Sequence, residues 1–394
     1  MQHTELLHKI LQESHVVKHK TRLNSLMLAV SSVLNGSSLS LTSLGRQMPK
    51  AIKPRSRIQE VNYLLSNGHL HQERLGIYAA INRWMIGDEK VLFIAIDWSS
   101  VVAHEQHVLR ASLLRKGRSM TVYEEIHAEQ ELAHAQVHQE FLRHLKLVLP
   151  ASCEVCLIVD AGFRTDFYMQ VETNDWDYVG RLLSTMYYRS VEEENGRWCP
   201  ELYEQASSQP EAIGAVMLTK SRRYQSHLYL YKRLETDAQG EGRKLRKIKH
   251  GKKEKEYKNA AKKPWLIASS LAMSAEKIMT IYRKRMKIEH DFRDLKDPRW
   301  GLGLRESRSK DPARLTLQLL VGFLASFLLW LIGLCLEKKR LHRDFQANSI
   351  KHKRVLSLIF LALEAIKNGY MRFICESDFW ELKQEGLQDE IGSA

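Results

Sequence analysis

The stretch VLFIAIDWSS (Val91–Ser100) decides the fold class. It is a continuous apolar run of strand length with a carboxylate, Asp97, near its end, and a second run of this kind, CEVCLIVD (Cys153–Asp160), also ends in an aspartate. Between them, His107–His127 breaks at Lys116-Gly117 like a β-hairpin, and Glu131–Leu149 has the period of an amphipathic helix. Strands and helices that alternate in this way predict an α/β domain with a mixed sheet.

The two aspartates, Asp97 and Asp160, are candidate functional residues. Carboxylates at the carboxyl ends of sheet strands lie where α/β sheets bind their ligands. Either aspartate taken alone is more typical of a turn residue or a helix cap than of a functional site.

Helical patterns alone fill residues 1–88. Short helices joined by tight turns, with Arg55 and Arg57 among the cations between them, resemble a compact helical DNA-binding domain. A helical cap with a solvated basic loop is the alternative. Beyond the α/β domain, predicted to span 89–345, residues 346–394 are expected to form a helical C-terminal region.

A β-rich insertion is predicted at about 187–270, where the helical period disappears. Its strand candidates are AIGAVMLTK, SHLYLYKRL and PWLIASS. They surround Arg243–Lys263, a segment with eleven Lys or Arg that include Lys247, Lys249, Lys252 and Lys253. Such a segment suits phosphate contact, although polar loops of this composition are often only solvated.

The overall charge indicates a polyanionic partner. Lysine and arginine number 60 against 46 acids, which gives a net charge of +14 and a pI near 9.4. Charge alone does not separate nucleic acid from a membrane surface. The uncharged segment Leu315–Leu336 is long enough to cross a bilayer, but its isolation in a polar chain favours a helix buried inside a large domain.

Cysteine use and the N-terminus favour a cytoplasmic location. The five cysteines are scattered, and the CxxC formed by Cys153 and Cys156 lies in a predicted strand, which favours two core cysteines over a zinc or redox site. The first residues lack the apolar stretch and cleavage site of a signal peptide.

The helix TIYRKRMKIEHDFRDLK (Thr280–Lys296) carries the sharpest chemical pattern. At ~100° per residue, Tyr282, Arg285, Glu289 and Lys296 fall within an arc of about 60°, beside an apolar stripe. Three carboxylates could hold two Mg²⁺ ions for phosphodiester chemistry, with Arg285 and Lys296 clamping phosphates. Taken without any family resemblance, this pattern is better explained by a solvated charged helix face.

The residues also carry a resemblance to a known family. Tyr282, Arg285, Glu289 and Lys296, together with Asp97 in IDWS and Asp160 in VDAGF, resemble the DDE transposases of bacterial insertion sequences with the YREK signature. Within the insertion-sequence-four family the chain is most similar to the transposases of insertion sequence ten. This similarity extends over HLHQERL, LRASLLRKGRSMTVYE, KKPWLIAS, RDLKDPRWGLGLRESR and FQAN.

The resemblance implies a ribonuclease-H-like catalytic core with a β-strand insertion before the glutamate helix. It implies cut-and-paste transposition in four steps: nicking at the transposon end, hairpin formation, hairpin opening and strand transfer to target DNA. Asp97, Asp160 and Glu289 would be the catalytic metal ligands for two Mg²⁺ ions, for which Mn²⁺ can substitute. Trp265 would stack on a base flipped out near the cut, unless it is a core residue.

The implied partners are inverted-repeat DNA at the transposon ends, target DNA and a second copy of the chain in a synaptic homodimer, with no membrane. Residues after 345 are candidates for the dimer contact. Two other classes stay open: a ribonuclease-H-like nuclease that cuts without joining strands, and a non-catalytic DNA-binding regulator that keeps the fold. A membrane protein is a more remote alternative, and solubility without detergent would dismiss it.

Overall fold

The computed structural model describes residues 4–101, 105–232, 263–347, 349–350 and 352–388. The helices in chain order are α1 (Glu5–Glu13), α2 (Lys20–Leu34), α3 (Leu41–Gln47), α4 (Pro54–Leu65), α5 (Gly68–Ile86), α6 (Ala135–Val148), α7 (Thr165–Glu172), α8 (Ala275–Arg283), α9 (Lys287–Lys296), α10 (Pro312–Lys338), α11 (Leu358–Lys367) and α12 (Glu376–Glu385). The strands are β1 (Val91–Val101), β2 (Gln106–Arg115), β3 (Arg118–Ala128), β4 (Glu154–Val159), β5 (Asp177–Arg181), β6 (Tyr187–Ser190), β7 (Arg197–Trp198), β8 (Glu211–Leu218), β9 (Tyr224–Tyr231) and β10 (Trp265–Ser269). The α/β class predicted from the sequence is confirmed.

The chain forms two compact units, Met1–Cys153 with Met286–Ala394, and Glu154–Arg285. Helices α1 to α5 account for most of residues 5–86 and belong to the first unit. Local sequence explains where they begin: Pro54 occupies the first position of α4, and the Asn67 side chain caps α5 by accepting from the Leu70 amide at 3.0 Å. The assignment of residues 1–88 to a separate DNA-binding domain stays a prediction.

Strands β1, β2 and β3 form an antiparallel meander in the first unit. The β2–β3 hairpin turns at Lys116-Gly117 as predicted, and Gly117 has a φ of +74°, which glycine adopts without the Cβ strain of other residues. Alternating side chains along these strands present one row of polar groups to α9, which packs on β1 and β3.

Helix α10 is the core of the first unit. It has the length and hydropathy of a membrane span, but 94% of its most apolar window is buried, so the prediction of a buried helix is confirmed. Asp311 caps its start by accepting from the Ala313 amide at 2.9 Å. The buried Gln318 side chain is satisfied by the Leu39 carbonyl at 2.8 Å and the Ser307 hydroxyl at 2.9 Å.

The second unit is built on strands in the order β4-β5-β10-β9-β8-β6-β7. β4 and β5 are parallel, and the remaining pairs are antiparallel. The three predicted strands of the insertion are confirmed as β8, β9 and β10. Cys156 is buried in β4, as predicted for a core cysteine, whereas Cys153 precedes β4 and is only half-buried, so the prediction of a core strand position is wrong for Cys153. All five cysteines are free thiols.

The prediction of one continuous helix over Thr280–Lys296 is wrong. A turn of 3-10 helix at Lys284–Met286 separates α8 from α9. A single such turn exchanges i→i+4 for i→i+3 hydrogen bonds without changing the apolar periodicity on either side, so the sequence pattern does not reveal it. The predicted arc of about 60° assumed 100° per residue throughout, so it does not apply across residues 284–286.

Candidate active site

Asp97 lies near the end of β1, where it is half-buried. Its Oδ1 accepts the backbone N–H of Trp98 at 2.8 Å, and across the ladder it stands directly opposite Arg110 of β2. Side chains at directly opposed positions of an antiparallel pair project from the same face of the sheet. Asp97 therefore shares its face with a buried cation.

The Trp98 side chain is anchored by histidines that sequence reasoning missed. Its indole N–H donates to Nε2 of His138 on α6 at 3.2 Å, and its ring lies edge-on to His127 at 5.4 Å. Burial, with smaller effects from the charges of His127 and His134, lowers the pKa of His138 to about 4. The residue beside Asp97 thus rests on a neutral imidazole.

Helix α9 carries three acids with different surroundings. Asp291 and Asp294 are buried and paired with arginines of the meander, Arg110 and Arg118 respectively. Glu289, two residues before Asp291, is exposed. Of these three carboxylates, Glu289 is the one that is exposed to solvent.

Lys296 ends α9 and is 8% exposed. Its ammonium donates to Ser99 Oγ at 2.6 Å and to the Ser100 carbonyl at 2.5 Å, both just beyond Asp97 on β1. Burial and then the charges of Arg110 and Arg305 lower the pKa of Lys296 to about 8, while Asp97 opposes them. The structure thus brings Lys296 and Asp97 together within the first unit.

Asp160 follows β4 in the second unit and is half-buried. Its Oδ1 accepts the Gly162 amide at 2.8 Å. A Cβ added at Gly162 would lie 3.0 Å from the same oxygen, so the turn brings backbone against the carboxylate in a way that suits glycine. The strand-end position predicted for Asp160 is confirmed, and its catalytic role stays a prediction.

Trp265, Tyr282 and Arg285 belong to one cluster of the second unit. Trp265 starts β10 half-buried, with its ring edge-on to Tyr282 at 5.1 Å and beneath the guanidinium of Arg181 at 5.9 Å. Burial raises the pKa of Tyr282, and the charges of Arg285 and Arg181 oppose this effect while that of Asp160 reinforces it. The cluster therefore places an aromatic ring and two cations near Asp160.

The other predicted DNA contacts differ in their surroundings. Arg55 is exposed on the first turn of α4, whereas Arg57 donates to the Met48 carbonyl at 2.8 Å, at the C-terminal end of α3. Lys247, Lys249, Lys252 and Lys253 lie outside the described residues, as does most of Arg243–Lys263.

The first unit contains a polar groove that was not predicted from the sequence. It has a volume of about 1230 Å³ and runs between the start of α3 and the segment after α9. Its cationic lining comprises Arg46, Arg305, Arg308 and Arg314, with a single acid, Glu306. Hydroxyls of Ser40, Thr42, Ser43 and Ser309 add hydrogen-bonding groups. Only the folded chain joins these segments, which are far apart in the sequence.

The donors at the predicted metal ligands suit a hard cation, because Asp97, Asp160 and Glu289 offer carboxylate oxygens only. Within the ranges that the structure describes, no group of three or more His, Cys, Asp or Glu side chains is arranged to hold a metal ion. Metal binding by these three residues stays a prediction.

Comparison with known proteins identifies the class. The family model described as the transposase DDE domain matches residues 92–328, more than half of the chain. The chain belongs to this family and is a DNA transposase. Among solved structures it is similar to a piggyBac transposase, seen by cryo-EM in a synaptic complex with hairpin DNA, at 10% identity over 98% of this chain and 82% of that chain, with a TM-score of 0.42. No curated protein matches it.

Proposed function

We propose that this DNA transposase serves a bacterial insertion sequence of the insertion-sequence-four family, with the YREK signature and a cut-and-paste mechanism like that of insertion sequence ten. The observation that carries the proposal is the difference in burial among the three acids of α9. Asp291 and Asp294 are paired with buried arginines, while Glu289, the glutamate of the YREK pattern, is the exposed acid.

Asp97, Asp160 and Glu289 are the proposed ligands of two Mg²⁺ ions, with Mn²⁺ as a substitute, in a ribonuclease-H-like core. Bound there, the ions would activate the attacking oxygen and stabilise the leaving oxygen of a phosphodiester. Of the chain's own cations, Arg285 would contact a phosphate near the scissile bond. The sequence pattern predicts that Lys296 clamps a phosphate too, but Lys296 is buried and bonded to β1, so its proposed role is to supply positive charge behind Asp97. The hydrogen bonds of Lys296 to Ser99 and Ser100 support this role because they fix its ammonium at the end of β1.

Trp265 is proposed to stack on a base that leaves the duplex when the hairpin forms. Its half-exposed ring is braced by Tyr282 and by Tyr231 at 5.6 Å, so stacking does not require the side chain to be ordered first. Base–aromatic stacking contributes ~1–3 kcal/mol, which offsets part of the cost of unstacking.

DNA binding is proposed to use several basic surfaces. The arginine-lined groove of the first unit suits a sugar-phosphate backbone because cations and hydroxyls line it together. The N-terminal helices with Arg55 and the segment Arg243–Lys263 would add contacts to transposon ends and target DNA. Two copies of the chain would hold two ends, with residues after 345 at the dimer contact.

The test compares Glu289→Gln with a matched control, Glu276→Gln, which removes an exposed acid from α8. The DNA is a duplex cut from inverted repeats that flank the gene. Glu289→Gln should bind this duplex like the wild type and lose nicking in Mg²⁺ or Mn²⁺, while Glu276→Gln should nick normally. Near-normal nicking by Glu289→Gln would overturn the metal assignment, and nicked DNA that is never joined to a target would favour a nuclease.

A further inference from the structure

A row of charged side chains crosses the meander of the first unit. In the strand register, Asp97 of β1 stands opposite Arg110 of β2, and Arg110 stands opposite Glu124 of β3. Directly opposed residues project from one face of an antiparallel sheet, so all three lie on the same face. Arg110 is 2% exposed and binds Glu124 Oε2 through Nε at 2.9 Å and Nη2 at 2.5 Å.

Helix α9 contacts this row of charged side chains through Asp291. Asp291 Oδ1 is 3.3 Å from Nη1 of Arg110, and its Oδ2 accepts the hydroxyls of Ser112 at 2.7 Å and Thr121 at 3.2 Å. The ring of Phe292 covers the Arg110 guanidinium at 4.7 Å. One buried arginine therefore contacts both the sheet and the helix that carries Glu289.

Two further attachments fix the position of α9 along the sheet. Asp294 forms an ion pair with Arg118 of β3, and Lys296 donates to Ser99 and Ser100 of β1. A shift of one residue along the helix moves each side chain by 1.5 Å and 100°, which would break all three attachments together. The register of α9 is therefore locked.

A locked register matters because Glu289 precedes Asp291 by only two residues on the same helix. Its position relative to Asp97 follows from where Asp291 is held. Metal ligands must stay close to their productive geometry, within about 0.5 Å, and that precision comes from supporting hydrogen bonds rather than from the ligands themselves. Stability alone does not explain a buried charge network, since well-packed apolar residues often serve as well or better.

We propose that Arg110 is a positioning residue that, through Asp291, sets Glu289 relative to Asp97 for metal binding. The inference rests on the proposed function. This positioning role depends on the forked shape of the guanidinium. Arg110 binds Glu124 and Asp291 at once through different nitrogens, which the single ammonium of lysine does not reproduce.

The chain offers a matched control on the same strand. Arg115 is 1% exposed and its guanidinium pairs with Glu89 at 2.7 Å, while α9 reaches it through its backbone carbonyl, which accepts from Lys287 at 3.3 Å and is kept when the side chain is changed. Arg110→Lys and Arg115→Lys thus change a buried, paired arginine of β2 in the same way. Asp291→Asn is a second test variant, which keeps an acceptor for Ser112 and Thr121 but removes the charge facing Arg110.

Each full-length variant is measured for its melting temperature, its affinity for Mn²⁺ from the electron paramagnetic resonance of free Mn²⁺, and the Mg²⁺ concentration that half-saturates nicking. Arg110→Lys and Asp291→Asn should weaken Mn²⁺ binding by 10- to 100-fold, the usual effect of losing a supporting partner of a metal ligand, and raise the Mg²⁺ requirement equally. Arg115→Lys should lower the melting temperature about as much as Arg110→Lys does, while its Mn²⁺ affinity stays within about twofold of that of the wild type.

Wild-type Mn²⁺ affinity in either folded test variant would overturn the inference, as would an equal loss of affinity in Arg115→Lys. Should Arg110→Lys fail to fold, Asp291→Asn alone decides. If wild-type protein neither binds Mn²⁺ nor nicks the end duplex, the proposed function fails as well. A wild type that does both, beside variants that match it, refutes the positioning role and leaves the proposed function intact.

Discussion

Acidification is expected to destabilise the first unit through His138. This side chain is 4% exposed, and its Nε2 accepts the indole N–H of Trp98. Because an indole N–H only donates, the hydrogen bond requires an unprotonated Nε2, which agrees with the lowered pKa of about 4. Protonation would place a buried charge beside the end of β1 and break this hydrogen bond.

The sign and size of the effect follow from linkage. Between pH 6.5, the ordinary pKa of histidine, and about pH 4, the unfolded chain binds a proton that the folded chain does not. Stability therefore falls as the pH falls through this window. At ~1.4 kcal/mol per pH unit the complete loss is about 3 kcal/mol, of which about 2.5 kcal/mol has occurred by pH 4.5.

The assay compares urea unfolding of the wild type and His138→Gln at pH 7.5 and 4.5. Glutamine can accept the Trp98 hydrogen bond but does not titrate, and the titration of other groups cancels in the difference between the two proteins. The wild type should lose about 2.5 kcal/mol more than the variant on acidification. Equal losses, or an NMR titration that gives His138 a pKa near 6.5, would refute the reasoning.

Three other predictions concern separate parts of the molecule. Trp265→Ala should spare the first nick and slow hairpin formation, whereas Trp265→Phe should retain activity. A substrate with an abasic site at the flipped position should partly restore hairpin formation by Trp265→Ala. Equal loss of both steps would instead mark Trp265 as a core residue. Arg285→Gln should weaken binding to the end duplex and lower the salt dependence of log K by roughly 0.9, the value for one phosphate contact, and an unchanged slope would exclude that contact. Leu328→Ala, at a fully buried position of α10, should lower the free energy of unfolding by about 2–5 kcal/mol in urea titrations, and a loss below about 1 kcal/mol would mean that the site collapses around the cavity.

The strands and the buried helix could be predicted because their signals are local. An unbroken apolar run gives β1, a Lys-Gly turn between alternating segments gives the β2–β3 hairpin, and an uncharged stretch gives α10. The helical period over residues 1–88 likewise gives α1 to α5. Each of these features depends on neighbours within a few residues.

Which acids of α9 are buried and paired, and which is exposed, could not be predicted from the sequence. Glu289, Asp291 and Asp294 are equivalent in local sequence, and only the register of β2 and β3 decides that Arg110 and Arg118 meet the last two. The same limit applies to Arg57, because its partner is the carbonyl of Met48, just after α3, rather than a residue in its own pattern. Long-range pairing assigns these roles, and composition and spacing do not encode it.

Helix α10 also constrains how the protein can be made. It packs against α2 and α5, which are synthesised earlier, and against α11 and α12, which are synthesised later. On the ribosome, the face of α10 that α11 and α12 cover therefore stays exposed until these helices emerge. A chain that ended after Lys338 would keep this apolar face uncovered on a helix with the hydropathy of a bilayer span. Premature stop codons beyond α10 should therefore send the product to membranes or aggregates instead of yielding a shortened, partly active enzyme.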